Sequence, residues 1–537
     1  LLEEIGAMAK LELYDTTLRD GTQREGISLS VKDKLEIARK IDQLGVHYIE
    51  GGWPGANPKD VEFFQQARSN LQLKNARLVA FGSTRRANGS AESDPTLAYL
   101  IESGAPICCI VGKSSAWQVK DVLGTTPDEN LEMVGESIAY LKSKGRQAFY
   151  DAEHFFDGFK ADAEYSKQCL RVAAASGVDC IILCDTNGGS LPHEIFEIVR
   201  QAVDTVPHTR IGIHCHNDCE LAVANSLAAV QAGATHVQGT VNGYGERCGN
   251  ANLCSILPNL QLKMGYRVVS DEQLASLTEV SRAVAEIANL TPDSHQAYVG
   301  RSAFAHKAGL HVSAILKSDD AYQHVNPALV GNEKRVLVSE LSGRGNVSYK
   351  AAEYGLDLDG GREQAQAVVE EIKELEAQGY QFEGAEASFQ LLLRRSQPGY
   401  TAPFELVAFS ANTQRRNGDA PWSEATVKVK VGDQLFHTAA EGNGPVNALD
   451  AAMRKALLNF YPELADISLA DYKVRVLEGS HGTAARVRVL IESEKSDGTS
   501  WTTVGSSENI IEASCRALTD SLEFVLTESR QPPAALS

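Results

Sequence analysis

RIGIHCHNDCELAVANSLAAVQAGATHVQGTV, residues 210–241, holds one full turn of the pattern that decides the fold. RIGIHCH (210–216) is a short run that alternates β-branched and small or polar residues, and it ends on two histidines. ELAVANSLAAVQAG (220–233) then spaces its apolar residues by three and four and stops at a glycine suited to the C′ position of a helix. THVQGTV (235–241) returns to the strand pattern. The same alternation runs backward from this unit to residue 11. Further strands are predicted at LELYDTT (11–17), HYIEGGW (47–53), ARLVAFG (76–82), PICCIVG (106–112), QAFYDAE (147–153) and CIILCDT (180–186), separated by helical stretches such as VKDKLEIARKIDQLG and NLEMVGESIAYLKSKG. Eight β/α units in about 250 residues point to a TIM (β/α)₈ barrel rather than an open doubly wound sheet. Barrel loops that carry chemistry follow the C-terminal strand ends, and DTTLRDGTQ, DAEH, CDTNGG, HCHND and NGYGERCGN all fall there.

The chain has 537 residues, too many for a single ordinary core. Residues 11–285 are assigned to the catalytic barrel, 286–398 to helical linker subdomains that contribute to the active site, and 404–526 to a C-terminal α+β domain. The Pro-Gly-Tyr-Thr-Ala-Pro stretch at 398–403 marks the boundary. The tail holds an internal repeat: ATVKVKV (425–431) is followed by NALDAAMRKALLNF (447–460), and ARVRVLI (485–491) by IIEASCRALTDSLEF (510–524). Each copy reads as one alternating strand, a turn and a helix ending at Phe. Such a pseudo-twofold domain suits pairing or the binding of a small effector.

A formal net charge of −19 argues against nucleic-acid and anionic-membrane partners, though not against an acidic substrate held by a few local cations. No run of about 18 apolar residues is present. The opening LLEEIGAMAK is acidic, lacks a signal-peptide core and offers Met8 as a natural start. Ten cysteines without framework spacing read as free thiols in a reducing cytoplasm.

His214 and His216, two residues apart on a strand, share one face, and neutral imidazoles on one face make half of a divalent-metal site. Alone the pair is a weak signal. Asp20 strengthens it, because closing the barrel brings the loop after the first strand near the end of the seventh. One Asp, two His and open positions suit a catalytic metal. Cys215 faces the other way, which disfavours thiolate ligation. Arg19 sets a permanent cation beside Asp20, suited to a carboxylate or a developing oxyanion, or to pairing with carboxylates at the barrel end. Glu153 either orients water or substrate or caps the next helix. Asn250 either offers its amide oxygen to the metal or belongs to a glycine-rich turn.

DTTLRDGTQ (15–23), HCHND (214–218) and NGYGERCGN (242–250), in this order and spacing, resemble the family of metal-dependent acyl-CoA Claisen enzymes that contains 2-isopropylmalate, homocitrate and citramalate synthases. FAHKAGLH (304–311) and the duplicated tail extend the resemblance over nearly the whole chain, while IEGGWPGANPKD (49–60) and FGSTRR (81–86) are most similar to the citramalate-forming bacterial branch. The resemblance implies an acyltransferase that condenses acetyl-CoA with pyruvate and water to citramalate and CoA, in isoleucine biosynthesis. It implies Asp20, His214, His216 and Asn250 as ligands of Zn, Mn or Mg, and Arg19 as the group that holds the 2-oxoacid. It also implies Glu153 in the substrate pocket, Thr186 on the 2-oxoacid carboxylate, and His311 with Tyr322 in acetyl-CoA activation. The tail is implied to bind isoleucine and to form a homodimer. Competing readings are a synthase acting on another 2-oxoacid, an acyl-CoA lyase on the same barrel, which would not need the tail, and a non-catalytic amino-acid sensor, which would not need Arg19 beside a metal.

Overall fold

The computed structural model describes residues 10–528 apart from 316, 319–320, 340–341, 357, 359–360, 416–419, 478–481 and 483. Eight parallel strands close into a barrel in chain order: β1 (Glu12–Asp15), β2 (Tyr48–Gly52), β3 (Arg77–Ser83), β4 (Ile107–Lys113), β5 (Gln147–Glu153), β6 (Cys180–Asp185), β7 (Ile211–Cys215) and β8 (His236–Gly239). All eight lie where the alternation predicts them. Closure comes from β1 pairing with both β2 and β8, with Tyr14 opposite Tyr48 on one side and Gln238 on the other.

Sequence sets the helix ends as well. Ser30 and Asp33 form a reciprocal capping box at the start of the helix Val31–Gln43. Gly45, Gly145 and Gly233 follow three of the helices at φ of +84°, +71° and +111°, a region where a Cβ is strained.

Two apolar layers result from the period of two along each strand. Tyr14, Tyr48, Val79, Phe81, Ile107, Cys109, Phe149 and Ile182 fill the barrel interior, while Leu13, Ile49, Ala80, Cys108, Ile213 and Cys215 face the surrounding helices. Cys215 therefore points away from its two histidine neighbours, as its strand position requires.

The barrel unit runs to Phe304 and takes in Val325–Glu333, where Thr278 Oγ1 donates to Val330 O at 2.7 Å and Asn332 Nδ2 to Tyr298 O at 2.8 Å. Ala305–His324 and Lys334 onward form a second compact unit. Its first part holds a two-residue parallel pairing, Ala305–His306 with Arg335–Val336, and the helices Arg344–Glu353, Gly361–Ala377 and Glu386–Arg395.

The tail repeat is larger than one strand and one helix per copy. Glu405–Gln414, Trp422–Val431 and Gln434–Gly442 form an antiparallel sheet followed by the helix Pro445–Leu457. Ile467–Val476, Val487–Lys495 and Ser500–Ser507 repeat this ahead of Ile510–Glu528. Only the central strand of each sheet alternates cleanly enough to be read from sequence. The edge strands Glu405–Gln414 and Ile467–Val476 are largely exposed on both faces, which erases the period-two signal.

His236 sits fully buried at the foot of the barrel among the rings of Tyr14, Tyr48 and Phe149, and neither ring nitrogen has a hydrogen-bond partner among the described residues. Burial, with the nearby Arg210 cation adding to it, pushes the imidazole down to about 3. The unfolded chain takes up this proton near pH 6.5 and the native state does not, so His236 favours folding above that pH. The advantage is lost as pH falls toward 3, by about 1.4 kcal/mol per unit. Urea unfolding of His236→Leu is expected to show a shallower loss of stability between pH 6.5 and 5 than the parent; parallel slopes would contradict this account.

Candidate active site

The mouth of the barrel is polar on an apolar floor. Asp20 follows β1 and is 3% exposed; His214 is the last residue but one of β7, with Nε2 3.4 Å from Asp20 Oδ2, and His216 follows the strand with its ring 5.2 Å from that of His214. Asp20, His214 and His216 are the one cluster among the described residues whose ligand atoms all lie within 4.8 Å of one another. Burial works to raise Asp20, but Arg19, the two histidines and the Asn250 amide hold it below the usual carboxylate range. Burial and the neighbouring His214 bring His216 down to about 4, so it is a neutral donor at pH 7.

Asn250 joins this group through backbone pairing. His216 and Asn250 form an antiparallel bridge, and Asn217 N–H donates to Gly249 O at 2.8 Å. Asn250 Nδ2 donates to Tyr244 O at 3.2 Å, which leaves the amide oxygen over. Glycine is needed in this loop for close approach: a Cβ on Gly249, at φ +93°, would lie 2.1 Å from Gly243 O. Asp20 Oδ1, His216 Nδ1 and Asn250 Oδ1 are all buried without a partner among the described residues. Three orphaned polar atoms, in a set of one carboxylate, two imidazoles and an amide oxygen, fit a divalent cation.

Arg19 is held from three directions. Its Nε donates to Glu50 Oε2 at 2.7 Å, its Nη1 lies 3.4 Å from Asp20 Oδ2, and its guanidinium stacks 3.8 Å over the Phe81 ring. Burial works against the cation, but Glu50 and Asp20 more than restore it, leaving Arg19 above its ordinary value. Glu50 is itself fully buried and also accepts from Tyr14 OH at 2.6 Å and from Thr16 Oγ1. Arg19 thus pairs with barrel-end carboxylates while standing next to the candidate metal-ligand set.

Glu153 ends β5 and forms an ion pair with Lys113 at the end of β4, its register partner. It does not cap the following helix, whose N-cap is His154 with no side-chain bond. Thr186 Oγ1 accepts from His154 N–H at 2.8 Å, and Arg247 Nη2 donates to Thr186 O at 2.8 Å while the same guanidinium grips Asp218. His311 and Tyr322 belong to the second unit, where their rings stack 4.2 Å apart and the tyrosine is 47% exposed. Glu50, Lys113, Asp151 and Gln238 were not anticipated. Glu50 lies inside the quoted IEGGW stretch, and a charged residue in an otherwise apolar strand was the available signal. The second unit also holds a cavity of about 770 Å³, lined by Leu375, Phe382, Phe404, Arg395, Asp520 and Glu523.

A closed β/α barrel with a buried Asp–His–His set and a clamped arginine at its mouth defines a metal-site barrel enzyme. The chain belongs to the HMGL-like family, which matches residues 10–284. The homocitrate synthase post-HMGL domain-like family matches 298–380 and the LeuA allosteric (dimerisation) domain 383–526. Among curated relatives, the (R)-citramalate synthase of Geobacter sulfurreducens is 53% identical over 98% of this chain and 99% of its own. The enzymes of the same name from Aquifex aeolicus and Streptomyces coelicolor are 51% and 52% identical over 97% of this chain and 99% and 98% of their own. Among the described residues no helix is long and apolar enough to cross a membrane.

Removing Glu50 takes the closer of two carboxylates from Arg19, whose side chain is 14% exposed, and leaves only the 3.4 Å contact to Asp20. Glu50→Ala is therefore expected to cost about 3–5 kcal/mol in urea unfolding. A loss below about 1 kcal/mol would show that Glu50 does not hold the guanidinium.

Proposed function

We propose that the chain condenses acetyl-CoA with pyruvate and, on hydrolysis of the thioester, releases citramalate and free CoA. Near-full-length identity to proteins named (R)-citramalate synthase, joined to the Arg19–Asp20–His214–His216 cluster, is the observation that carries this reading. Asp20, His214, His216 and Asn250 would hold a zinc, manganese or magnesium ion, whose contribution is Lewis-acid polarisation of a keto oxygen.

The residues divide the remaining work. Arg19, fixed by Glu50, binds the 2-oxoacid and stabilises the alkoxide that develops at the keto carbon. The Thr186 oxygen already accepts from His154 N–H, so its own O–H proton is left to donate to the substrate carboxylate. Glu153 lines the substrate pocket, with Lys113 keeping it in reach of the mouth. His311 and Tyr322 act on acetyl-CoA, where removal of a methyl proton creates the carbanion that attacks the keto carbon.

The second unit would form a homodimer and bind isoleucine as effector. The apolar wall and the Arg395–Asp520–Glu523 charges of its cavity suit an aliphatic amino acid. The enzyme would serve isoleucine biosynthesis in a cytoplasm that keeps its ten free cysteines reduced.

Release of free thiol from acetyl-CoA, measured against a panel of 2-oxoacids, is expected to be fastest with pyruvate; no release with any of them would remove the synthase reading. Arg19→Ala is expected to lose at least 100-fold in turnover while retaining metal, whereas Asp20→Ala should lose the metal, both read by metal analysis of the purified variants. Isoleucine, titrated against valine and leucine into the full chain, is expected to inhibit thiol release most strongly; equal or absent inhibition would reject it as effector.

A further inference from the structure

One layer below the candidate metal ligands lies a chain of buried polar contacts that the proposed chemistry leaves unused. His214 Nδ1 lies 2.9 Å from Gln238 Oε1, and Gln238 Nε2 donates to Asp151 Oδ1 at 3.2 Å. Cys109 Sγ donates to the same carboxylate oxygen at 3.2 Å. His214 is 5% exposed, Asp151 4%, and Gln238 and Cys109 not at all. Strand register makes the first contact unavoidable, since His214 of β7 and Gln238 of β8 are direct partners.

Chemistry fixes the direction of every bond in this chain. Asp151 Oδ1 receives the Cys109 thiol, a group that burial and the adjacent carboxylates keep protonated. An oxygen already accepting one donor presents a lone pair to its other neighbour, so the Gln238 end that faces it is the NH₂ group. The amide oxygen must then face His214. Two acceptors do not share a 2.9 Å contact, so the ring carries its proton on Nδ1. In the neutral ring it is then Nε2, 3.4 Å from Asp20 Oδ2, that carries the lone pair. His216 has no such tether: its Nδ1 is buried and unpartnered.

We propose that Gln238 is a positioning residue that locks His214 as the Nδ1–H tautomer, with Asp151 and Cys109 locking the Gln238 amide in turn, so that the Nε2 lone pair is presented to the metal before any metal arrives. The proposal rests on the metal-site reading for its consequence. The tautomer itself does not depend on that reading. Partners in this outer position govern ligand orientation and basicity, and their loss commonly weakens metal binding about 10–100-fold.

The test uses the full chain with ¹⁵N-labelled histidine in metal-free buffer, His214 being assigned by its absence in His214→Gln. The parent protein is expected to show one tautomer, Nδ1–H. Gln238→Leu, which removes the acceptor, should shift His214 toward Nε2–H, and Mn²⁺ affinity measured by calorimetry should fall about 10–100-fold. Gln238→Glu should restore both within about threefold, because a proton shared between Glu and Asp151 replaces the amide N–H and the acceptor for Nδ1–H is kept. If Gln238→Leu does not fold, Asp151→Ala leaves Gln238 in place with its amide free to turn, and a mixed tautomer is expected. An unchanged Nδ1–H tautomer in Gln238→Leu or Asp151→Ala, or parental Mn²⁺ affinity in Gln238→Leu, would overturn the proposal. A parent protein that binds no divalent cation yet loses the tautomer in Gln238→Leu would uphold the lock and reject the metal reading.

Discussion

Pairing of the first strand with the eighth is the constraint from which the candidate site follows. Asp20 and His214 are 194 positions apart in sequence, and no local preference brings them together. Glu12, Leu13, Tyr14 and Asp15 pair in register with His236, Val237, Gln238 and Gly239, and β8 pairs in turn with β7. Each ladder fixes which residues reach the mouth. A slip of one residue in either would exchange the inner and outer faces and turn His214 and His216 toward the helices in place of Ile213 and Cys215.

The second consequence is electrostatic. Closure removes water from a layer that contains Arg19, Asp20, Glu50 and Asp151, all within an otherwise apolar interior. Desolvation of such groups is costly, and each has a specific answer: Arg19 has Glu50 and Asp20, Glu50 also has Tyr14 and Thr16, and Asp151 has Gln238 and Cys109. Asp151 has no ion partner at contact distance among the described residues, and burial brings its carboxyl up to about 6. Asp20 goes the other way because cations and amides surround it. Three atoms of the candidate ligand set, Asp20 Oδ1, His216 Nδ1 and Asn250 Oδ1, keep no hydrogen-bond partner among the described residues.

How much of this could be read in the sequence depends on whether the signal was local. The eight strands were legible because each is a short, largely apolar run, buried on both faces, next to a helix that ends at a glycine in the left-handed region. The HxH pair was legible because period two is a property of one strand. Glu50 and Gln238 carry equal weight in the site but act through register, Glu50 across to Arg19 and Gln238 across to His214, and register between strands leaves no mark in either strand alone. The tail shows the same limit. Its central strands Trp422–Val431 and Val487–Lys495 bury alternate residues, whereas the strands beside them have one apolar neighbour fewer and a pattern that carries little information.

The groups at the mouth differ in how firmly they are held, and this difference orders their roles. Arg19 is fixed at Nε by a fully buried carboxylate and across its face by Phe81, so it costs little reorganisation to meet a charge that develops beside it. His214 is fixed through its far nitrogen by a buried amide. Glu153 is different: its side chain is 26% exposed, and its ion partner Lys113 is another barrel-end side chain rather than a buried carboxylate or amide. A pair of this kind is weakened by the water that reaches it, so Lys113 can exchange Glu153 for an anionic group at small cost. In the proposed reaction, rigid groups would then surround the position where charge develops, and the adjustable pair would meet the incoming anion. A site that must admit an anion and then stabilise a second negative oxygen needs both kinds, because a fixed carboxylate at the entrance would repel the first and a mobile cation at the centre would be late for the second.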